Sequence, residues 1–310
     1  MEFKKPKFWD YKKPNVYSYL LWPISILIKL FNFLKIIITR KNYSLTKTIC
    51  IGNIYLGGTG KTSLSLKINE ILRQKKIKTC FIKKFYSNQI DEQNILADNG
   101  KLFKNKKRFE SLKQAAMEGY KIAIFDDGLQ DFSINYDLNI VCFNNINWIG
   151  NGLTIPSGPL RESINNIKKY RNVFLNGNNE DLEEIKKYIF KIDPTINVYQ
   201  GKYVPKNLNE FNIKDKFLVF SGIGNHATFI SMLKINKFNI IKEIEFPDHY
   251  EYSKKDINNI ISTAKDLDCK IITTEKDYLR LENISSKKIN FIQSELHIID
   301  ENNLIETIFE

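Results

Sequence analysis

The sequence predicts an α/β protein with a parallel sheet domain, a second, smaller α/β domain and an apolar helix ahead of both. Three observations predict it. From Thr46 onward, short apolar runs alternate with runs of helical periodicity. The alternation restarts near residue 200, and the apolar stretch Tyr19–Ile38 precedes the first run. Strands that are apolar almost throughout suit a parallel sheet covered on both faces. A length of 310 residues suits about two domains and a sizeable core without staples.

Of the 20 residues in Tyr19–Ile38, 15 are apolar, so length alone permits a membrane span. Pro23, Lys29, Asn32 and Lys35 interrupt it, while Leu27, Leu30, Phe31, Leu34, Ile37 and Ile38 recur near helical spacing. Lys4, Lys5, Lys7, Lys12 and Lys13 precede it, and Arg40 and Lys41 follow. The expectation is an amphipathic membrane-associating helix lying in the plane of an anionic leaflet. A buried domain helix and a true span are the alternatives. The long charged lead and the lack of an A-x-A-like site exclude a secretory signal.

Thr46–Ile54 then reads as a strand, Ser63–Lys75 as a helix and Lys76–Phe85 as a second strand. Phe109–Tyr120 is helical, and Tyr120–Asp127 and Leu138–Asn145 are strands. In the second set, Lys216–Asn225 is a strand and glycine turn, His226–Asn236 a helix and Asn239–Phe246 a strand. Lys254–Leu267 is helical, and Cys269–Asp277 and Ile289–Ile299 are strands. Gly, Pro and Asn breakers between Val198 and Asn212 mark the division. The expected organisation is an N-terminal segment over 1–40, the main domain over 41–200 and the smaller one over 201–310.

Lys and Arg number 47 against 35 Asp and Glu, a net charge of +12 that suits an anionic partner. A composition rich in Lys, Asn and Ile produces such an excess without selection for charge. Basic residues are dispersed, and no helix-turn-helix, zinc-finger or RNP-like pattern occurs, which argues against nucleic acid. Cys50, Cys80, Cys142 and Cys269 are far apart and lie in or beside apolar runs, so they read as buried thiols in a reducing compartment.

The motif with the most chemical content is Gly57-Gly58-Thr59-Gly60-Lys61-Thr62, between a predicted strand and a predicted helix. Glycines let backbone N–H groups turn inward around phosphate oxygens, and the helix N-terminus adds partial positive charge. Lys61 is placed to reach the terminal phosphates of a nucleotide, and the Thr62 hydroxyl to hold Mg²⁺. The loop makes the main domain phosphate-loop NTPase-like, although Tyr55 stands where the strict pattern has its first glycine. A second strand ends in Asp126-Asp127-Gly128-Leu129-Gln130. Carboxylates at the end of a parallel strand project into the ligand crevice. Asp126 and Asp127 are therefore candidate metal ligands, and Gln130 could orient a water or hydroxyl.

Gly52-Asn53, GGTGKT, DDGLQ, PSGPLRES, FPDHY and TTEKD, in this order and rough spacing, resemble the tetraacyldisaccharide 4'-kinase family, the lipid A 4'-kinases of Gram-negative bacteria. The resemblance runs from the apolar segment to about Asp277. It implies ATP-dependent phosphorylation of the 4'-hydroxyl of a tetraacylated glucosamine disaccharide 1-phosphate, at the cytoplasmic face of the bacterial inner membrane. It also implies ATP and Mg²⁺ as cofactors, and the lipid A precursor disaccharide and anionic inner-leaflet lipids as partners. By resemblance, Arg161 in Pro156–Glu162 is a phosphate clamp with Glu162 supporting it, and His249 beside Asp248 assists the base.

The family's S-R-G-Y-G and G-D-E-P segments correspond only loosely to Lys83-Lys84-Phe85-Tyr86-Ser87 and Ile90-Asp91-Glu92-Gln93. Asp91 is the candidate base there, with Tyr86 and Glu92 supporting. Ser163 replaces a family Pro, and Tyr250 a family His. Thr273–Asp277 reads either as a helix cap or as a substrate-side cluster.

Two other readings compete. A membrane-recruited switch ATPase of the partition type carries a second Lys directly before the paired glycines, where this chain has Leu56. A phosphate-loop kinase of a soluble metabolite does not account for the apolar stretch.

Overall fold

A computed structural model describes residues 5–86, 90–179, 181–248, 250–281 and 288–310, with the backbone alone at Ile90 and Asp91. The chain divides into two compact units. The larger holds Lys5–Asn176, Leu182–Gln200 and Ile298–Glu310, and the smaller holds Gly177–Asp181 and Gly201–His297.

The larger unit starts with helix α1 (Val16–Ile38), then β1 (Lys47–Gly52), α2 (Lys61–Gln74), β2 (Thr79–Lys84), α3 (Ile90–Asn99) and β3 (Leu102–Asn105). It continues with α4 (Arg108–Met117), β4 (Ile122–Asp126), β5 (Leu138–Asn144), α5 (Ile167–Tyr170), β6 (Asn172–Asn176), α6 (Glu183–Ile192) and β7 (Asn197–Pro205), the last of which runs on into the smaller unit. Strands β1, β4, β5 and β6 are buried along nearly their whole length, which is why the first three read as continuous apolar runs. Helix α2 turns Leu64, Ile68, Ile71 and Leu72 onto the sheet at three- and four-residue spacing.

The smaller unit holds β8 (Lys216–Ser221), α7 (His226–Ile235), β9 (Asn239–Glu245), α8 (Lys254–Asp266), β10 (Lys270–Thr274), α9 (Glu275–Leu279) and β11 (Ile289–Ile292). Strand β12 (Ser294–Ile298) leads back to the larger unit, where α10 (Glu301–Phe309) ends the chain. Its sheet has the order β11-β10-β8-β9, with every neighbouring pair parallel. Alternate residues of β8 serve two cores: Phe217 and Val219 meet Phe229 and Leu233, while Leu218 and Phe220 meet Ile257 and Ile260. A capping box of Ser253 and Asp256 starts α8.

The eight-stranded sheet has the order β12-β7-β6-β5-β1-β4-β2-β3, and β1 pairs in parallel with β4 on one side and β5 on the other. The chain thus leaves β1 in opposite directions, which opens a crevice at the carboxyl ends of β1 and β4. Register sets Ile51 of β1 beside Asp126 of β4, and Ile82 of β2 beside Phe125 of β4.

Two local expectations change, and β3 is among the strands that the sequence reading lacks. Ile289–Ile299 is two strands, because the chain breaks at Gln293, whose N–H bonds to Asn207 Oδ1. Strand β3 is a short, lysine-flanked edge without a clear apolar pattern. Cys50, Cys80 and Cys142 are buried, whereas Cys269 is only half-buried. Burial pushes the first three thiols well above their ordinary pKa, leaving them unreactive.

Helix α1 also departs from the amphipathic picture. Asn15 caps it, and only Ser18 and Ser25 among its residues are buried. Leu20, Trp22, Leu27, Leu30, Phe31, Leu34 and Ile37 are each at least half exposed. The docked face runs through Ser18, Leu21, Ser25, Ile28 and Asn32, and the exposed surface is mostly apolar but carries Lys29 and Lys35. The helix is long and apolar enough to cross a membrane by length and composition.

Candidate functional site

The glycine loop joins β1 to α2. Gly57 (φ +143°) and Gly60 (φ +78°) lie in the region that disfavours side chains, and Gly60 is the N-cap of α2. Asn53 Nδ2 donates to the carbonyls of Tyr55 (2.6 Å) and Gly57 (3.2 Å), and Asn176 Nδ2 donates to the Thr59 carbonyl (3.2 Å). These bonds fix the carbonyls of Tyr55, Gly57 and Thr59 and so set the course of the loop. The Thr59 hydroxyl is buried without a hydrogen-bond partner among the described residues, as suits a group awaiting a phosphate oxygen.

Asp126 ends β4 fully buried. Its Oδ2 accepts from Thr62 Oγ1 at 3.2 Å, and its Oδ1 from Ser65 Oγ at 3.4 Å. Lys83 Nζ, at the end of β2, stands 2.6 Å from Asp126 Oδ2 and 2.5 Å from Glu92 Oε2. Burial works against the Lys83 ammonium, but Asp126 and Glu92 hold its pKa above the usual lysine value.

Asp127 adopts a left-handed backbone (φ +59°), which turns its carboxylate toward Lys61 Nζ at 3.8 Å and Arg161 at 3.2 Å. Burial favours the neutral acid, yet Lys61, Arg161, Lys83 and Arg108 together hold the Asp127 carboxyl below its ordinary value. Lys61 and Arg161 therefore flank one carboxylate oxygen, the arrangement that a phosphate oxygen could take over.

The loop that delivers Arg161 is tied to the glycine loop. Leu56 N–H donates to the Pro159 carbonyl (2.8 Å), and Arg161 N–H to that of Ile54 (2.6 Å). Gln130 accepts from Arg161 at 2.8 Å and donates to the Asn53 carbonyl at 3.0 Å. Gln130 thus orients the arginine, in place of the water or hydroxyl expected from sequence. The same loop seats α1. Ser25 Oγ lies 2.8 Å from Ser157 Oγ and donates to the Thr154 carbonyl at 3.0 Å. Asn151 Nδ2 donates to Ser18 Oγ at 3.1 Å. Buried Trp9 donates to the Pro156 carbonyl at 3.0 Å.

Glu162 accepts from Tyr170 Oη (2.8 Å) and Asn166 Nδ2 (2.7 Å), so it anchors the arginine's loop. Tyr86 is exposed, with Lys84 over its ring. The side chain of Asp91 and the whole of His249 lie outside the described residues. Asp248 is exposed in the smaller unit. Thr274 caps α9 and bonds buried Asp277 at 2.7 Å, and Asp277 also accepts from Tyr252 (3.0 Å) and Arg280 (3.2 Å). Within the smaller unit that motif is a cap and a buried polar network.

Two contributors, Arg108 and Asn176, had no sequence signal of their own, and Lys83 stood only in a loosely matching segment. Arg108 donates to the Asp127 carbonyl at 2.6 Å from a helix with no motif. Asn176 and Lys83 act only because β6 and β2 end near the loop. Among the described residues no group of three His, Cys, Asp or Glu could hold a metal ion. A hydroxyl and a carboxylate 3.2 Å apart are hard oxygen donors. That set fits Mg²⁺ when phosphates and water complete the shell.

A central strand, a glycine loop ending in Lys-Thr at a helix start and an adjacent strand ending in aspartates define a phosphate-loop nucleotide-binding protein. The family model for tetraacyldisaccharide-1-P 4'-kinase (LpxK) matches residues 17–310. A tetraacyldisaccharide 4'-kinase of Pelagibacter ubique (strain HTCC1062) is 59% identical over 312 residues, covering 100% of this chain and 98% of that protein. One from Rickettsia akari (strain Hartford) is 32% identical over 325 residues, covering 98% and 96%. The chain belongs to the tetraacyldisaccharide 4'-kinase family. Its fold matches the crystal structure of the "apo" form of LpxK from Aquifex aeolicus in complex with ATP. The TM-score there is 0.67 at 19% identity, over 94% of this chain and 98% of that one.

Proposed function

We infer that this chain transfers the γ-phosphoryl group of ATP to the 4'-hydroxyl of a tetraacylated glucosamine disaccharide 1-phosphate, a step of lipid A biosynthesis. Beside the family membership, the observation that carries this reading is the gathering of Lys61, Thr62, Asp126 and Asp127 at one corner of the sheet. Phosphoryl transfer needs positioning and charge neutralisation more than covalent chemistry. The N–H groups of Gly57–Thr62 cradle the triphosphate, and Lys61 follows its terminal oxygens. Thr62 and Asp126 would hold Mg²⁺, which supplies charge neutralisation between the phosphates, with Asp127 as a further ligand.

Arg161 leaves Asp127 for the transferred group and steadies it through its planar fork. We assign Asp91 as the base that takes the acceptor hydroxyl's proton, assisted by His249, with Glu92, Tyr86 and Asp248 supporting; this assignment rests on the sequence motifs. The outward apolar surface of α1 meets acyl chains on the cytoplasmic side of the inner membrane, where basic residues flanking it face anionic lipid.

The reading is tested with γ-labelled ATP and three acceptor conditions: the acylated disaccharide 1-phosphate, a soluble sugar and none. Label is expected in the lipid alone. Label released as phosphate without acceptor, or moved to the sugar, overturns the reading. In the same assay Arg161→Ala is expected to lower kcat about 100-fold, and Arg161→Lys to recover only part of it. An unchanged kcat in Arg161→Ala removes Arg161 from the transfer step.

A further inference from the structure

Lys83 is 1% exposed, and its ammonium touches two carboxylates of different elements, Asp126 of β4 and Glu92 of α3. Strand register explains the first contact. Ile82 pairs with Phe125, so the next residue of each strand, Lys83 and Asp126, ends side by side. Without that ammonium, two acidic groups would share one small region at the edge of the nucleotide site, and like charges so placed repel. Among the described residues Asp126 accepts from Thr62, Ser65 and Lys83. One oxygen, Oδ2, serves both the lysine and the threonine that marks the metal position.

We propose that Lys83 is an internal counter-ion for Asp126 and Glu92, standing in for a divalent cation in the nucleotide-free enzyme and keeping Asp126 directed at Thr62. Lys83 is then a positioning residue. Lys83 already places a positive charge on Asp126 Oδ2, so Mg²⁺ has little reason to enter before the phosphates bring their own negative charge. Mg²⁺ also gives up its waters reluctantly and seldom settles in an all-protein cage. Replacing Lys83 by a neutral residue turns the same carboxylates into a free-standing cation site. The inference draws on the proposed function only in taking Thr62 and Asp126 as the metal's protein partners.

The test is thermal unfolding without nucleotide or acceptor, in chelator and in millimolar Mg²⁺, so it is independent of the kinase assay. The wild-type midpoint is expected to be the same in both media. Lys83→Met is expected to melt roughly 5–10 °C lower in chelator, since it leaves the buried Asp126 carboxylate without its ion pair. Mg²⁺ is expected to restore most of that loss, and Lys83→Arg to behave as wild type. The proposal is overturned if Lys83→Met melts like wild type in chelator, or if Mg²⁺ leaves its midpoint unmoved. Calorimetric titration of the wild type with Mg²⁺ alone decides the matter even if the variant does not fold. No binding heat is expected, and saturable binding at millimolar Mg²⁺ overturns the proposal.

Discussion

Lys61→Ala is expected to lower kcat about 100- to 1000-fold while the protein stays folded. Lys61 makes one long ion pair, 3.8 Å to Asp127, and Arg161 remains on that carboxylate at 3.2 Å. Its loss therefore costs the fold no more than about 1 kcal/mol. In the transfer step the same ammonium faces charge developing on the terminal phosphate, with no other lysine of the loop to replace it. Initial rates with γ-labelled ATP, set beside thermal melts of both proteins, measure the two effects separately. A variant that melts normally and turns over at the wild-type rate would remove the glycine loop from the chemistry.

The second large effect concerns α1. Replacing Leu20, Leu27 and Phe31 together by Asp is expected to abolish binding to vesicles of phosphatidylethanolamine and phosphatidylglycerol. Each of these side chains is more than half exposed, so none holds the larger unit together. Each contributes about 2 kcal/mol when buried in an apolar phase, and the three together correspond to at least a ~1000-fold change in partitioning. The docked residues Ser18 and Ser25 are left in place. Deleting residues 1–38 is a poorer experiment, because it also removes buried Trp9 and its bond to Pro156. Cosedimentation measures the effect, and a triple variant that still pellets with vesicles would locate the membrane contact elsewhere.

Substituting these three residues separates attachment from catalysis. The variant is expected to keep its melting temperature, since Ser25 still bonds Ser157 and Thr154 in the loop that delivers Arg161. A fall in rate on vesicle-borne acceptor, beside unchanged binding of ATP, would then report the lost contact with lipid.

The parallel sheet was legible in the sequence because strands buried on both faces must be apolar throughout, as β1, β4 and β5 are. The glycine loop was legible because φ values such as those of Gly57 and Gly60 demand glycine locally. Strand β3 was not, since a half-exposed edge flanked by lysines carries no apolar alternation. The character of α1 was only partly legible. Periodicity marks a helix, but which stripe docks depends on partners more than a hundred residues away, the Thr154 carbonyl and the Ser157 hydroxyl.

The sequence by itself determined the α/β class, the phosphate loop, the paired strand-end aspartates and the apolar leading helix. Each of these is written in the chemistry of neighbouring residues. Only the tertiary structure decided that Gln130 orients Arg161, that Asn176 and Arg108 brace the site, and that Lys83 pairs with Asp126 and Glu92. Those pairings join residues 9 to 117 positions apart, brought together by loop packing and, for Lys83 and Asp126, by strand register, and they leave no local pattern to read.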